Sequence, residues 1–196
     1  EVLANDINKK IVEDINSSGG KAMGFAGNQN NLITAKKLEM AVKDSDSNIE
    51  KILDLGFVGE PISINSSFIN DHIVKGIIPV IAPLGRDEKG NTYNINADTA
   101  AGAIAGALRA SKLILLTDIA GILDENKKLI SSLNYEEAKK IISKNFILGG
   151  MKPKITTCIK AISQGVKQAT ILDGRIPHAL ILELFTEHGI GTQIYS

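Results

Sequence analysis

Apolar residues follow a helical period in some segments and a strand period in others, and the two kinds of segment alternate along the chain. The first helical pattern begins at Val2 and ends before Gly19 and Gly20, where glycine suits a left-handed cap. Further helices are predicted over residues 67–75, 97–109, 135–144, 153–164 and 177–187, with Asn134 capping the helix at 135–144.

Short apolar or alternating runs between the helices predict the strands. They cover residues 21–26, 32–42, one or two strands within 49–64, and then 77–84, 92–95, 112–117, 169–172 and 192–195. Polar residues predict a loop at 44–48 and a hairpin tip at 85–91. The runs at 77–84 and 112–117 are almost continuously apolar, which is typical of strands buried on both faces.

This alternation predicts an α/β fold, specifically a three-layer αβα sandwich with a largely parallel central sheet and helices on both of its faces. A chain of 196 residues is long enough to bury a sizeable core. The single cysteine, Cys158, allows no intrachain disulfide and is expected to be a small core residue. A reducing, cytoplasmic location fits this cysteine usage.

Charge and hydropathy exclude some classes of partner. Lys plus Arg and Asp plus Glu are balanced at 22 each, and the chain has no basic run, so nucleic acid is not expected as a partner. No apolar run reaches the length of about 18 residues that a membrane span needs.

Standard catalytic signatures are missing from the sequence. It contains no Walker-type glycine loop, dinucleotide glycine fingerprint, HExxH, CxxC or GxSxG motif. The three histidines, His72, His178 and His188, are scattered along the chain. No protein metal site is therefore predicted, and common hydrolase and Rossmann enzymes are disfavoured.

One motif that could carry chemistry is NINAD at 94–98, where a strand enters a helix. Asn94 and Asn96 alternate with Ile95, so both are expected to point the same way. Asn96 can cap the helix, and Asp98 falls in its first turn. Capping and a carboxylate–dipole contact of about 0.3–1 kcal/mol explain this spacing without any ligand, and that is the more common explanation.

A second motif is GGMKPK at 149–154, in which two glycines lead into a helix whose first position is expected to be Pro153. Free amides at a helix start favour an anion. Lys152 and Lys154 lie at the end of the helix that the dipole makes unfavourable for cations. The segment thus predicts a phosphate site, with ordinary solvated lysines as an equal alternative.

A third segment, TDIAGILD at 117–124, directly follows the strand predicted at 112–117. Ligands of open α/β sheets bind beyond the carboxyl ends of the strands, which favours nucleotide binding here. A plain exit from a strand, with Gly121 as the turn residue, is the more common alternative.

Together these pieces resemble the acetylglutamate kinases of the amino-acid kinase superfamily over essentially the whole chain. The matching pieces are GGKAMGFAG (19–27), NNLITAKK (30–37), DLGFVGEP (54–61), IPVIAPLG (78–85), YNINAD (93–98), KLILLTDIAGILD (112–124), GGMKPK (149–154) and ILDGRIPHALILELFTEHGIGT (171–192). Their order and spacing make the resemblance specific, because each piece alone would be weak.

The resemblance implies the amino-acid kinase fold, with residues 1–196 as a single domain. Residues of about 1–95 would complete the substrate-binding lobe, and about 96–196 would form the ATP-binding lobe. The family begins with a strand, a first catalytic lysine and glycine loops that have no counterpart in this chain. We therefore expect the chain to represent the C-terminal two-thirds of the family's length and to have little kinase activity by itself.

The resemblance also assigns roles to residues. Lys154 corresponds to the family's second catalytic lysine, Asp98 to the aspartate that holds the catalytic lysines, and Asn94 to a residue that binds the substrate. The ATP site would be formed by Asp118, Ile119, Ala120, Gly121, Ile122 and Leu123 on one side, by Phe146, Ile147 and Leu148 on the other, and by Gly150 and Met151 beside them.

The activity implied is ATP-dependent phosphorylation of the γ-carboxylate of N-acetyl-L-glutamate, the second step of arginine biosynthesis. That carboxylate is ionised at neutral pH because an ordinary Glu has a pKa of about 4.3, so no general base is needed. Mg²⁺ would be held mainly by the ATP phosphates. The alternatives are another amino-acid kinase, of the carbamate or aspartate type, and a non-catalytic module that senses arginine.

The family contains arginine-inhibited hexamers and uninhibited dimers, so a homo-oligomer is implied. Glu183 and Gly189 occupy positions that bind arginine in the inhibited branch. Thr170 stands where that branch usually carries a histidine, which is a departure from its pattern. Glu183 and Gly189 therefore favour L-arginine as a feedback inhibitor, whereas Thr170 argues against it.

Overall fold

The computed structural model describes residues 2–43, 50–147, 149–186 and 189–196, and the loop predicted at 44–48 lies outside the described residues. A π-helical segment, Val2–Ile7, leads into the first α-helix. The α-helices are α1 (Asn8–Ser17), α2 (Ser66–Ile73), α3 (Ala97–Leu108), α4 (Tyr135–Ile141), α5 (Met151–Ser163) and α6 (Ala179–Phe185). The strands are β1 (Ala22–Ala26), β2 (Ile33–Lys43), β3 (Glu50–Ile64), β4 (Ile78–Ala82), β5 (Leu84–Arg86), β6 (Thr92–Ile95), β7 (Lys112–Thr117), β8 (Ser132–Asn134), β9 (Gln168–Asp173) and β10 (Thr192–Tyr195).

The chain divides into two compact units, unit 1 (Glu1–Ala100) and unit 2 (Ala101–Ser196). In unit 1, β1 and β4 form a parallel pair, and β2, β3, β6 and β5 close into a barrel. Two antiparallel hairpins, β2–β3 and β5–β6, build the barrel, and its other pairs, β3–β6 and β2–β5, are parallel. The predicted hairpin tip at 85–91 is confirmed, since Leu84 pairs with Asn94 across it.

Unit 2 is organised around a four-stranded sheet in the order β7–β9–β10–β8. The β7–β9 and β10–β8 pairs are parallel, and β10–β9 is antiparallel. Helices α4 and α5 pack on this sheet over a core that includes Ile122, Ile155 and Cys158, each fully buried. The α/β class and its preference for parallel pairing are thus confirmed, as is the buried position of Cys158.

Two strands are less buried than their apolar runs predict. Ile78 of β4 is 48% exposed, and Leu116 of β7 is 50% exposed, so the prediction of burial on both faces is wrong for these strands. In the described part of unit 1, β4 pairs only with β1. In unit 2, β7 forms one edge of the four-stranded sheet. Strand β9, which lies between β7 and β10, is buried on both faces, since the adjacent residues Thr170 and Ile171 point to opposite faces and are both fully buried.

Several helix ends also differ from the predictions. Helix α5 begins at Met151, so Pro153 is its third residue and not its first. Proline is still tolerated there because the N–H groups of the first turn have no partner within the helix. Helix α6 begins only at Ala179, since His178 adopts a left-handed conformation with φ of 60°. Asn134 caps α4 as predicted, in a reciprocal capping box with Glu137.

No helix in the described part of the chain is long and apolar enough to span a bilayer.

The approach of β10 to β9 depends on Gly191. A Cβ atom at this position would lie 2.4 Å from the carbonyl oxygen of Ile171 and 2.7 Å from Cβ of Leu172. Because backbone must move to make room, Gly191→Ala is expected to lower the free energy of unfolding by about 1–3 kcal/mol, measured by urea denaturation followed by circular dichroism. Gly150→Ala is the matched control, since no atom lies within 4 Å of its Cβ and its φ is −67°. Equal denaturation midpoints for the two variants would contradict this account.

Candidate functional site

The N-terminus of α5 lies at the edge of the unit 2 sheet where β7 and β9 end. Helix α5 packs on β9 and β7, and residues 164–167 connect its C-terminus to the start of β9. The two elements therefore run in opposite directions. The 13 residues of α5 span about 20 Å, and the six residues of β9 span about the same distance. The start of α5 is thus level with the end of β9, and with the end of the parallel strand β7.

The start of α5 is open and offers backbone donors. Gly149 has φ of 53°, and Gly150 caps the helix without a side-chain hydrogen bond. A Cβ atom at either glycine would meet no atom within 4 Å. Lys152 is exposed and Lys154 is half-buried in the first turn of the helix. The first N–H groups of a helix have no partner within the helix, and together with nearby cations they favour an anion such as phosphate.

The segment predicted to bind ATP begins at the same edge and then enters the core. Asp118, Ile119 and Ala120 are exposed beyond the end of β7. Ile122 is fully buried, and its N–H donates to Oγ1 of Thr192 at 2.8 Å. Gly121 has φ of 148°, and a Cβ atom there would lie 2.6 Å from the same hydroxyl oxygen, so this position requires glycine.

The opposite wall of the predicted ATP site is largely core as well. Ile147 is 2% and Met151 is 5% exposed, and Phe146 packs against the same cluster while half-buried. Leu148 lies outside the described residues. Leu123 forms an isolated bridge with Leu129. The side chains of Ile147 and Met151 are buried in the core, so a nucleotide would contact the backbone of these segments and not these side chains. The role of the segments in ATP binding remains a prediction.

Asp173 and Arg175 are charged residues at this edge to which the sequence analysis assigned no role. The guanidinium of Arg175 donates from Nε to Oδ1 of Asp173 at 2.9 Å and from Nη2 to Oδ2 at 2.8 Å. The backbone N–H of Arg175 also donates to Oδ1 at 2.9 Å. These hydrogen bonds, first the side-chain and then the backbone ones, lower the pKa of Asp173 from 3.8 to about 2. The sequence feature that could have pointed to this pair is the triplet DGR (173–175), which directly follows the strand predicted at 169–172.

The NINAD motif lies in unit 1 and has the predicted alternation. Tyr93 and Ile95 are buried, and Asn94 and Asn96 are exposed on the other side of β6. Oδ1 of Asn96 accepts from the N–H of Thr99 at 3.1 Å, so the predicted cap of α3 is confirmed. Asp98 is in the first turn of α3. Its predicted interaction with a catalytic lysine is between residues of different units and remains a prediction.

The two residues predicted to bind arginine are neighbours in unit 2. Glu183 is only 7% exposed, and its Oε2 accepts from the N–H of Ile190 at 3.0 Å and of Gly191 at 3.4 Å. Its Oε1 accepts from the hydroxyl of Thr170 at 3.2 Å. A Cβ atom at Gly189 would lie 2.5 Å from Oε2 of Glu183. Thr170 is therefore one of the donors that surround this carboxylate.

A family profile and individual known proteins assign the chain to the same family. The sequence profile described as "Amino acid kinase family" matches residues 1–173. Proteins named acetylglutamate kinase from Afipia carboxidovorans and Rhodopseudomonas palustris are 54% and 52% identical to the chain over 99% of its length. The chain spans only 66% and 65% of the lengths of these two curated relatives.

Solved structures are similar at lower identity. N-acetylglutamate synthase from Neisseria gonorrhoeae, complexed with coenzyme A and L-arginine, is 26% identical with a TM-score of 0.72, covering 90% of this chain and 38% of that one. Carbamate kinase from Giardia lamblia, bound to AMP-PNP, is 15% identical with a TM-score of 0.63, covering 98% and 72% of the two chains. At that identity the likeness to carbamate kinase concerns the fold alone.

The Asp173–Arg175 pair is expected to make stability depend on pH in the acid range. The pKa of Asp173 is lower in the folded protein, about 2, than its ordinary 3.8, so the pair stabilises the fold above about pH 4 and stops doing so as the pH falls towards 2. Asp173→Asn should therefore lower the denaturation midpoint at pH 7 and leave a smaller difference from wild type near pH 3. Arg175→Gln should give the same pH-dependent loss. A difference from wild type that is equally large at both pH values would argue against the ion pair.

Proposed function

Because the chain belongs to the amino acid kinase family, we propose that it forms the C-terminal part of an enzyme that transfers the γ-phosphoryl group of ATP to the γ-carboxylate of N-acetyl-L-glutamate. Such an enzyme would catalyse the second step of arginine biosynthesis in the cytoplasm, as a homo-oligomer. The identity of 54% to a protein named acetylglutamate kinase supports this substrate over the others used in the family.

The observation that carries the proposal is the edge of the unit 2 sheet. Two parallel strands end there, and α5 begins there with open glycines and with Lys154 in its first turn. Strand ends of this kind are where α/β proteins bind ligands. A helix start of this kind favours phosphate. Occurring together at one edge, these two features favour an anionic nucleotide as the ligand.

The chemistry asks mainly for charge neutralisation. The attacking group is a carboxylate that is already ionised at neutral pH, so no general base is required. What opposes the reaction is the repulsion between this carboxylate and the triphosphate, and catalysis then consists of positioning and electrostatic stabilisation. Lys154, together with the amides at the start of α5, would stabilise the charge of the phosphoryl group during transfer.

Other residues of the chain would position these groups. Asp98, in the first turn of α3, would hold the catalytic lysines, and Asn94, on the exposed side of β6, would bind the backbone of N-acetylglutamate. In the described part of the chain no three His, Cys, Asp or Glu residues are grouped as a metal site. As the family resemblance implies, Mg²⁺ would be held mainly by the phosphates of ATP, where it supplies further charge neutralisation.

The proposal is tested first at Lys154. The assay would use a chimaera of this chain with the part of the Afipia carboxidovorans relative that the chain does not match, and would measure ADP release that depends on N-acetylglutamate. Lys154→Ala is expected to lower kcat by about 10²–10³, as for other groups that stabilise transition-state charge. Lys160→Ala is the matched control, because this exposed lysine is in the last turn of the same helix, away from its start. Wild-type turnover in Lys154→Ala would refute the assignment.

We further propose that the Glu183 site binds L-arginine and that binding inhibits the enzyme. The buried carboxylate of Glu183 could accept the guanidinium or ammonium group of arginine while Ile190 and Gly191 keep it in place. The similar N-acetylglutamate synthase is a structure with L-arginine, which supports the same ligand here.

Glu183→Gln tests the effector site, because it removes the charge but keeps an oxygen that can accept from the backbone. In the chimaera, the arginine concentration for half-inhibition should rise about tenfold or more, since a hydrogen bond to a charged group contributes about 1.5–3 kcal/mol. Turnover without arginine should change little. Glu125→Gln, at an exposed position between β7 and β8, is the control. Unchanged inhibition in Glu183→Gln would remove the residue from the effector site.

A further inference from the structure

The Asp173–Arg175 pair occupies the edge at which we place the nucleotide, yet none of the roles proposed above involves it. Asp173 is the last residue of β9 and is only 8% exposed, whereas the side chain of Arg175 is 69% exposed. An exposed arginine normally samples many rotamers, and ordering its side chain costs free energy. Here two side-chain hydrogen bonds to one carboxylate fix the plane of the guanidinium before any ligand binds.

Backbone contacts bring this pair next to the segment that follows β7. Thr117, the last residue of β7, is in register with Asp173, and the N–H of Gly174 donates to the carbonyl oxygen of Thr117 at 2.8 Å. Asp118 therefore emerges beside Gly174 and Arg175. The pKa of Arg175 is raised, mainly by its hydrogen bonds to Asp173 and also by the charge of Asp118.

Charge balance distinguishes two possible roles for Arg175. Asp173 already neutralises the guanidinium, and the formal charges of Asp173, Arg175 and Asp118 sum to −1. A group with this net charge would repel a phosphate, so a direct contact with the triphosphate is disfavoured. The same charges favour attraction of Asp118 towards Arg175, which would restrain the exposed start of the Asp118–Leu123 segment.

We propose that Arg175, held by Asp173, positions Asp118 so that its carboxylate accepts hydrogen bonds from the nucleoside part of ATP. A nucleoside offers donors in its ribose hydroxyls and in the amino group of adenine, and a carboxylate is a strong acceptor for both. Arg175 is thus a positioning residue, because it acts through Asp118 and contacts no reacting atom. The inference rests on the proposed function, since it specifies how that site recognises its nucleotide.

The test measures binding of ATP to the 196-residue chain by isothermal titration calorimetry, with inorganic tripolyphosphate as a second probe that lacks the nucleoside. Arg175→Gln is expected to weaken ATP binding about tenfold, the equivalent of one charge-assisted hydrogen bond, and to leave tripolyphosphate binding unchanged. Arg175→Lys should restore part of the loss. Arg109→Gln is the control, because Arg109 follows the end of α3 and precedes β7, at the opposite edge of the sheet.

A double-mutant cycle identifies the residue through which Arg175 acts. Asp118→Asn alone should weaken ATP binding by a similar factor, and Arg175→Gln with Asp118→Asn should be no weaker than either single variant. Thermal unfolding midpoints of all variants would identify one that binds poorly because it is misfolded. If Arg175→Gln is misfolded, ATP binding by Arg175→Lys is compared with that of the wild type instead.

Several results would overturn the inference. They are wild-type ATP affinity in Arg175→Gln, an equal loss of tripolyphosphate binding, strict additivity in the cycle, and no binding of ATP by the wild-type chain. Failure of the proposed function gives a different result, namely a chimaera that does not phosphorylate N-acetylglutamate. If the chimaera turns over and its KM for ATP is unaffected by Arg175→Gln, the inference fails while the proposed function stands.

Discussion

The packing of α5 against β9, in opposite directions, is the constraint on which the rest of unit 2 depends. A short connection of residues 164–167 forces the helix to return along the strand that follows it. Because the helix and the strand are of nearly equal length, the start of α5 and the end of β9 must lie at the same edge. The parallel pairing of β7 with β9 adds a second strand end. The site is therefore a consequence of element length and direction, before any side chain is considered.

Much of this could be predicted from the sequence because the relevant signals are local. The glycines at 149 and 150, the capping residues Asn96 and Asn134, and the hairpin tip at 85–91 each depend on a few neighbouring residues, and the structure has all of them. The role of Asn94 could be suggested, since alternation on a strand fixes which side it occupies. For the predicted pairing of Asp98 with a catalytic lysine, the sequence supplied a family resemblance and no geometry.

Other features could not be predicted because they depend on partners that are distant in sequence. An apolar run such as IIPVIA does not reveal how completely other elements will cover its two faces, so β4 was expected to be buried on both although Ile78 is half-exposed. The closed barrel of unit 1 depends on β3 pairing with β6 across a long sequence separation. The Asp173–Arg175 pair was overlooked because two charged residues after a strand are usual at a surface, and only the bidentate geometry distinguishes them.

The proposed nucleotide segment and the proposed effector site are linked by two sets of hydrogen bonds that the backbone of residues 190–192 joins. Glu183 accepts from the N–H groups of Ile190 and Gly191, and the next residue, Thr192, uses one hydroxyl to accept from the N–H of Ile122 and to donate to the carbonyl oxygen of Ile130. Gly121 and Gly191 are closely surrounded in this arrangement, because a Cβ atom at either position would overlap neighbouring atoms. The segment before β10 and the buried half of the Asp118–Leu123 segment are therefore packed together at the hydroxyl of Thr192. Contiguity alone is not coupling, which also requires two discrete arrangements of the linking element. The packing around Thr192 supplies the contiguity, and coupling between the two segments then requires a second packed arrangement that arginine binding would favour.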